Sequence, residues 1–432
     1  MEIANKRNIQ RAWTFYDWAN SVYNLVITAT IFPIYYKIVT EVRNSTGETI
    51  KNTVNFLGFE LKNTTLYDWA IAFSYLVISI LIPILSGIAD SSNSKKRFMK
   101  FFCYLGALSC AGMYFFTADN LGYGITCACL ACMGWAGSLV FYNAFIPEIA
   151  EKSEQDGLSA RGFSMGYWGS AILLILALSL IMTRETGEEK LLMMRYSFLG
   201  VGIWWIGFAQ IPFYFLPNGK IFDAESVENK FTKGFLELKK VWIELKKNPV
   251  IAKFLLAFFI YSMGVQTVML IANHFGSEEI KMEADQLIIT ILIIQFVAIA
   301  GAHLFSFLSS KKGNVFTLQI ATFIWSLICI GTFLFVQTPQ DFYIVAGVVG
   351  LVMGGIQALS RSTFSKLVPQ TEDNASYFSY YDVTEKLSIV CGMALFGFFN
   401  QIGSSMRSPI LLLIVFFVTG FILLFRVKII KH

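Results

Sequence analysis

Apolar residues in this chain fall in long runs rather than in the broken stripe of a surface helix. A helix needs about 20 mostly apolar residues, rising about 1.5 Å each, to cross about 30 Å of hydrocarbon. Twelve such runs are expected, near 14–38, 67–89, 98–117, 121–146, 161–182, 195–216, 251–273, 285–309, 314–336, 342–364, 376–401 and 408–427. A bilayer core offers the backbone no water, so each run is expected to be helical. The predicted fold class is an all-α membrane protein of twelve transmembrane helices. The long polar stretch divides it into a six-helix bundle over 1–216, a cytoplasmic linker over 217–250 and a second six-helix bundle over 251–432.

The polar connections alternate in charge. Lys6, Arg7 and Arg11 precede the first run; Lys95, Lys96, Arg97 and Lys100 follow the second; Lys311 and Lys312 follow the eighth. The stretch 217–250 holds Lys220, Lys230, Lys233, Lys239, Lys240, Lys246 and Lys247, and the tail holds Arg426, Lys428 and Lys431. By the positive-inside rule both termini and the linker face the cytoplasm. The loop at 40–66 is then external; its glycosylation-type triplets at Asn44 and Asn63 carry no weight. The polar, basic start of the chain lacks a small-residue cleavage site and reads as leading into a retained first span, not as a signal peptide.

The two halves show a faint repeat. The first span, TFYDWANSVYNLVITATIFP from Thr14, aligns with AFFIYSMGVQTVMLIANHFG from Ala257, pairing Phe15 with Phe258, Trp18 with Tyr261, Val22 with Val265 and Phe32 with Phe275. The turns SSNSKKRF at 91–98 and SSKKGNVF at 309–316 match in kind. Such duplication favours two bundles facing a central cavity.

Composition removes several alternatives. Of 432 residues, 55% are hydrophobic and 15% charged, which excludes an ordinary soluble domain. The net charge of +5 is not gathered on one face, so no nucleic-acid partner is expected. The seven cysteines, including Cys127, Cys129 and Cys132, sit in apolar runs without nearby histidines or carboxylates. They read as small buried hydrophobes, not metal ligands, and no cofactor is expected. With three histidines and no nucleophile–base pair, a membrane enzyme is disfavoured.

Polar groups inside hydrocarbon are costly and face the interior or a wet cavity. Asp17, Asn20, Asn24 and Thr28 are spaced 3, 4 and 4, which puts them on one helix face. Asn24 lies near the midplane, as does Glu385, and Gln266 lies just beyond it. Asp382 and Lys386 are one turn apart and able to pair. The candidate substrate-cavity residues are Asn20, Asn24, Gln266, Gln357, Asp382, Glu385 and Lys386. Arg361, Asp17, Asn143 and Glu148 lie close to the cytoplasmic end and are the candidate inner gate, Arg361 pairing with a carboxylate. The competing reading of Arg361 is a side chain snorkelling to headgroups. Tyr142, Tyr167, Tyr380 and Tyr381 are possible cavity donors, His303 reads as structural, and Gly134, Gly137, Gly347, Gly350, Gly354 and Gly355 permit close helix contact.

The stretch SGIADSSNSKKRF at 86–98 resembles the signature loop of the major facilitator superfamily. YDWANSVYNLVI from Tyr16, YNAFIPEIA from Tyr142 and GGIQALSRSTFSKLVP from Gly354 resemble the vacuole-effluxer proteins of fungal autophagy and of bacteria. The resemblance implies the major facilitator fold with pseudo-twofold symmetry, alternating access, and amino-acid export as one candidate activity. It maps the loop carboxylate to Asp90, with Lys95 and Lys96 as basic partners, and implies docking near the start of span eleven, where a helix N-terminus attracts Asp90. Ser86, Asn93 and Ser94 depart from the family's Gly, Gly and Arg; Asn93 is tolerable because Asn can take the left-handed conformation. Span four lacks the buried Arg of many proton-coupled exporters, and the second-half loop has no acid at the place of Asp90, so gating is expected to rest mostly on the first half.

The expected protein is a monomeric carrier in a bacterial inner membrane, moving a small polar solute, with a coupling proton on Glu385 as one option. If the solute is an amino acid, Asp382 or Glu385 takes its ammonium and Lys386 its carboxylate. A lipid or lysolipid flippase and a non-transporting receptor remain alternatives.

Overall fold

The computed structural model describes residues 2–43, 49–218, 227–402 and 407–428. Asn44, Lys220 and Lys431 lie outside the described residues. The chain opens with α1, Glu2–Val22, which passes through a π-helical stretch, Tyr23–Ile31, into α2, Phe32–Thr40. The π-helical stretch is dense in β-branched residues (Val26, Ile27, Thr28, Thr30, Ile31), which crowd the preceding turn of a tight helix. The Thr30 hydroxyl donates to the Leu25 carbonyl at 2.7 Å.

Two small hairpins fill the loop after α2. Strand β1, Val42–Arg43, pairs antiparallel with β2, Thr49–Lys51, and β3, Thr53–Phe56, pairs with β4, Phe59–Lys62. The second hairpin turns at Leu57 and Gly58, both at positive φ (52° and 85°), the backbone a two-residue hairpin requires.

Long helices follow: α3, Asn63–Ser91; α4, Lys95–Gly112; α5, Leu121–Asn143; α6, Ile146–Ile149; α7, Gln155–Met182; and α8, Gly187–Phe215. After α9, Val227–Lys247, come α10, Pro249–Glu278; α11, Ala284–Lys312; α12, Asn314–Phe335; α13, Pro339–Leu367; α14, Asn374–Ile402; and α15, Ile410–Leu424. Sequence sets the starts of several. Asn248 caps α10 by accepting from the amides of Val250 (3.1 Å) and Ile251 (3.3 Å), with Pro249 in the first turn. Thr338 and Asp341 form a reciprocal capping box on α13.

Among the described residues, ten helical segments are long and apolar enough to cross a membrane. The expected eleventh and twelfth spans are present as helices of a different kind. α14 carries Asp382, Glu385 and Lys386. α15 has 15 residues, about 22 Å at the α-helical rise. Exposed Phe73, Ile80, Phe101, Leu108, Ile203, Phe307 and Phe323 cover the helix exteriors, as lipid-facing surfaces demand.

α1 packs on α7 and α8, α4 on α5 and α8, and α3 on α5; α10 packs on α14 and α15, α12 on α13 and α15, and α11 on α13. Across the centre, α7 meets α11 and α13, and α3 meets α14. Close approach of α11 and α13 depends on glycine: a Cβ on Gly354 would collide with the Ala298 carbonyl, and one on Gly301 with the Leu351 carbonyl. Gly347, by contrast, faces open space. Backbone cannot yield as a side-chain tip can, so Gly354→Val is expected to lower unfolding stability in detergent by about 1–3 kcal/mol, while Gly347→Val leaves the transition temperature near wild type.

α9 was expected only as part of a polar linker. It is a helix lying across α3 and α14. Lys240 bonds to Glu237 (2.7 Å) and to Asp373 (2.8 Å). Hydrogen bonds to Asp373 and Glu237 hold the Lys240 ammonium above its ordinary range.

Candidate functional site

A cavity of about 210 Å³ lies at the centre, walled by both halves of the chain. The 3-4-4 stripe forms one wall: Asp17, Asn20, Asn24 and Thr28 all line it. Opposite stand Gln266 from α10, Gln295 from α11, Gln357 and Arg361 from α13, and Tyr381, Glu385 and Lys386 from α14. Tyr75, Trp135, Leu139 and Asn143 line it on the side of α3 and α5.

The charged centre of the wall is Lys386, 1% exposed. Its ammonium lies 3.0 Å from Asp382 and 3.3 Å from Glu385, over the rings of Trp135 (5.2 Å) and Tyr75 (5.9 Å). Gln266 donates to the other Glu385 oxygen at 3.1 Å. Asp382, placed by sequence among the cavity residues, is buried outside the lining. It shares a face with Lys386, but only the long Lys stem reaches the cavity. Two carboxylates against one ammonium leave the cluster formally anionic. The Asn20 side-chain nitrogen and the Gln295 side-chain oxygen, both in the wall, have no partner among the described residues.

Arg361, 3% exposed, lies in the lining together with Asp17. Both terminal guanidinium nitrogens donate to one Asp17 oxygen at 3.0 Å. Its Nε donates to the Ser159 hydroxyl (2.9 Å), Nη2 to the Ser159 carbonyl (2.9 Å) and Nη1 to Asn143 (3.4 Å). Tyr142 donates to the same Asp17 oxygen at 2.8 Å. Trp13, Tyr142 and Phe163 surround the guanidinium at 5.0, 5.6 and 4.1 Å. The group is sealed within four helices and does not snorkel. Gly162 leaves its space: a Cβ there would strike Asp17 and Arg361.

Asp90 at the end of α3 accepts from the amides of Ala375 (3.2 Å) and Ser376 (2.7 Å) in the first turn of α14. A helix N-terminus supplies free N–H groups and partial positive charge. Asn93 sits at φ 50°, the left-handed turn the sequence allowed. Lys95 lies 3.9 Å from Asp90 and bonds to Glu148.

This chain matches the family model described as vacuole effluxer Atg22 like over residues 5–432. The chain belongs to that family. It is 28% identical over 421 residues to the uncharacterized MFS-type transporter YxiO of Bacillus subtilis, covering 96% of this chain and 94% of that protein. It is 26% identical over 461 residues to autophagy-related protein 22 of Kluyveromyces lactis, covering 96% and 92%. Among solved structures it resembles the major facilitator transporter FucP in the outward conformation (TM-score 0.69, 15% identity, 98% and 99% covered). It also resembles the proton:xylose symporter XylE (TM-score 0.72, 13% identity, 99% and 97% covered). These likenesses show the major facilitator fold. The family and the fold are those of membrane transporters of small solutes.

In this effluxer-family chain two basic and acidic residues have partners other than those expected. Lys96 does not face Asp90; its ammonium donates to the Leu216 carbonyl, which ends α8, at 2.6 Å. Consecutive helical residues point about 100° apart, so Lys95 and Lys96 cannot share a partner here. Glu148 takes no part in the Arg361 cluster and instead accepts from Lys95 and from Asn374 (3.2 Å).

Sequence reading missed Asp156. At the start of α7 it accepts from Ser309 (2.8 Å), Asn314 (2.8 Å) and Lys366 (2.6 Å). Ser309 and Asn314 belong to the second-half basic turn. That turn lacks its own acid, but α7 brings one to it, so the contact across the centre is not confined to the first-half loop. The tyrosines divide: Tyr167 donates to Gln357 (2.7 Å) in the cavity wall, whereas Tyr380 donates to the Leu238 carbonyl of α9 (3.1 Å). His303 contacts the Ser164 hydroxyl at 3.1 Å.

Proposed function

We propose that this effluxer-family chain moves a small polar solute, with an amino acid as the leading candidate, by alternating access of two six-helix bundles. The bundles are 1–216 and 251–432, joined by the linker 217–250, with twelve spans in all. Lys and Arg asymmetry supports cytoplasmic termini, so the end that holds Arg361 faces the cytoplasm, and we assign the chain to a bacterial cytoplasmic membrane.

The observation that carries this reading is the wall of the cavity. Both halves supply it, it holds an Asn20 nitrogen and a Gln295 oxygen without partners among the described residues, and it presents Glu385 beside a lysine that the buried Asp382 already matches. A cationic group on the solute suits Glu385, which is reached from the cavity and held by Gln266. Lys386 is already matched by Asp382 and Glu385, so a solute carboxylate falls first to the Asn20 amide. Proton coupling would use the same Glu385; uptake into proteoliposomes that ignores an imposed pH gradient would rule that role out.

The test is thermal unfolding of purified protein against amino acids, dipeptides, sugars and nucleosides. A ligand held only by the folded state raises the transition in a concentration-dependent way, about 2.7 kcal/mol at a hundred times its Kd. A rise with an amino acid supports the reading. No rise with any polar solute, but one with lysolipids, would replace it by a flippase.

The inner end gives a second prediction. Asp90→Asn removes the charge facing the α14 amides while keeping its shape. It is expected to shift the equilibrium toward cytoplasmic opening by about 1–2 kcal/mol, or 5- to 30-fold. Distances between spin labels on Ser92 and Glu372 would lengthen; an unchanged distribution would count against a holding role for the contact of Asp90 with the α14 amides.

A further inference from the structure

We propose that the exposed face of α9 is a docking surface for anionic phospholipid headgroups and that it straps the α3–α14 seam at the membrane surface.

The helix shows two faces on a seven-residue repeat. Gly234 and Val241 are buried, as is Leu245. Phe235 and Trp242, Leu236 and Ile243, and Lys239 and Lys246 are exposed, each pair one heptad apart. Phe235 is 60% and Leu236 58% exposed. Four large apolar side chains outward, interleaved with lysines, make a poor water-facing surface and a good interfacial one.

The inward face fixes the depth. A Cβ on Gly87 would collide with the Gly234 carbonyl, so the α3 and α9 backbones touch. Gly87 is four residues before the end of α3 at Ser91, about 6 Å along the axis. That is the depth of headgroups rather than of the hydrocarbon centre. Tyr377 donates to Glu244 at 2.7 Å, Tyr380 to the Leu238 carbonyl at 3.1 Å, and Trp242 stacks on Tyr380 at 5.4 Å. These contacts hold α9 on α14 as well as on α3, over the place where Asp90 docks.

Charge selects the occupant. Lys240 is matched by Asp373 and Glu237, and Glu244 is held by Tyr377. Lys239 and Lys247 are exposed, and Lys246 lies over the Trp242 ring at 4.8 Å. The outward charge is positive and the surrounding residues are apolar. An anionic bilayer surface complements both.

The test is hydrogen exchange of 235–247, read by mass spectrometry on the full chain in nanodiscs. Discs of phosphatidylcholine alone are compared with discs containing added phosphatidylglycerol. Exchange is expected to slow about tenfold in the anionic discs and to lose that protection in high salt. The variant Lys239→Gln/Lys246→Gln/Lys247→Gln should lose it too, while unfolding in phosphatidylcholine as wild type does. Equal exchange in both discs would overturn the proposal. So would protection that instead follows protein concentration with a doubled particle mass in detergent, which would assign the face to a second copy.

Discussion

Arg361→Ala is expected to abolish transport and to lower stability by about 3–5 kcal/mol. The guanidinium satisfies Asp17, Asn143 and both oxygens of Ser159 at once. Its removal leaves the Asp17 carboxylate, 4% exposed, with the Tyr142 hydroxyl but without its counterion. A buried charge without its counterion costs more than the pair contributed. Removing both charges, as in Asp17→Asn with Arg361→Gln, should recover much of the stability and none of the transport. Unfolding in detergent and solute counterflow in proteoliposomes separate the two effects. A folded Arg361→Ala protein with wild-type counterflow would show that this cluster does not gate.

Glu385→Gln should leave the fold intact and weaken solute binding 10- to 100-fold. A charged hydrogen bond contributes about 1.5–3 kcal/mol, and the amide keeps the contact with Gln266 but not the charge. Lys386 retains Asp382 at 3.0 Å, so no ammonium is stranded. The measured quantity is the ligand concentration that half-saturates the thermal shift. An unaltered value would remove Glu385 from the solute site. Asp382→Asn, one turn away but outside the cavity, should act through Lys386 and reduce stability first.

Ten of the helices were legible because each carries its own signal, a run of apolar residues of membrane length; α14, with three charges, and α15, with 15 residues, carry it less fully. The stripe Asp17, Asn20, Asn24 and Thr28 was legible because its spacing alone puts it on one face. Arg361 was legible as a costly charge in an apolar run, though its partner had to be chosen between two carboxylates, Asp17 and Glu148. Asp156 was not, because its partners lie 153, 158 and 210 positions away and an acid at the start of a helix ordinarily faces water. The π-helical stretch left no mark, since β-branched residues fill ordinary spans as well. α9 could have been found: Leu238, Val241 and Leu245 recur at helical spacing inside what read as a polar linker.

Asp17, Asp90 and Asp156 all belong to the first half of the chain, and each meets donors from the second half at the same end. On the alternating access proposed above, contacts so placed break together, since one rotation of the halves would part them. If each is worth about a factor of ten and their contributions add, the three together bias the equilibrium toward this arrangement about a thousandfold. A solute then drives turnover only through the difference in its affinity for the two arrangements, and that difference must approach the same factor. Weakening any one carboxylate should therefore lower the discrimination the carrier demands of its cargo, so that poorer solutes begin to pass.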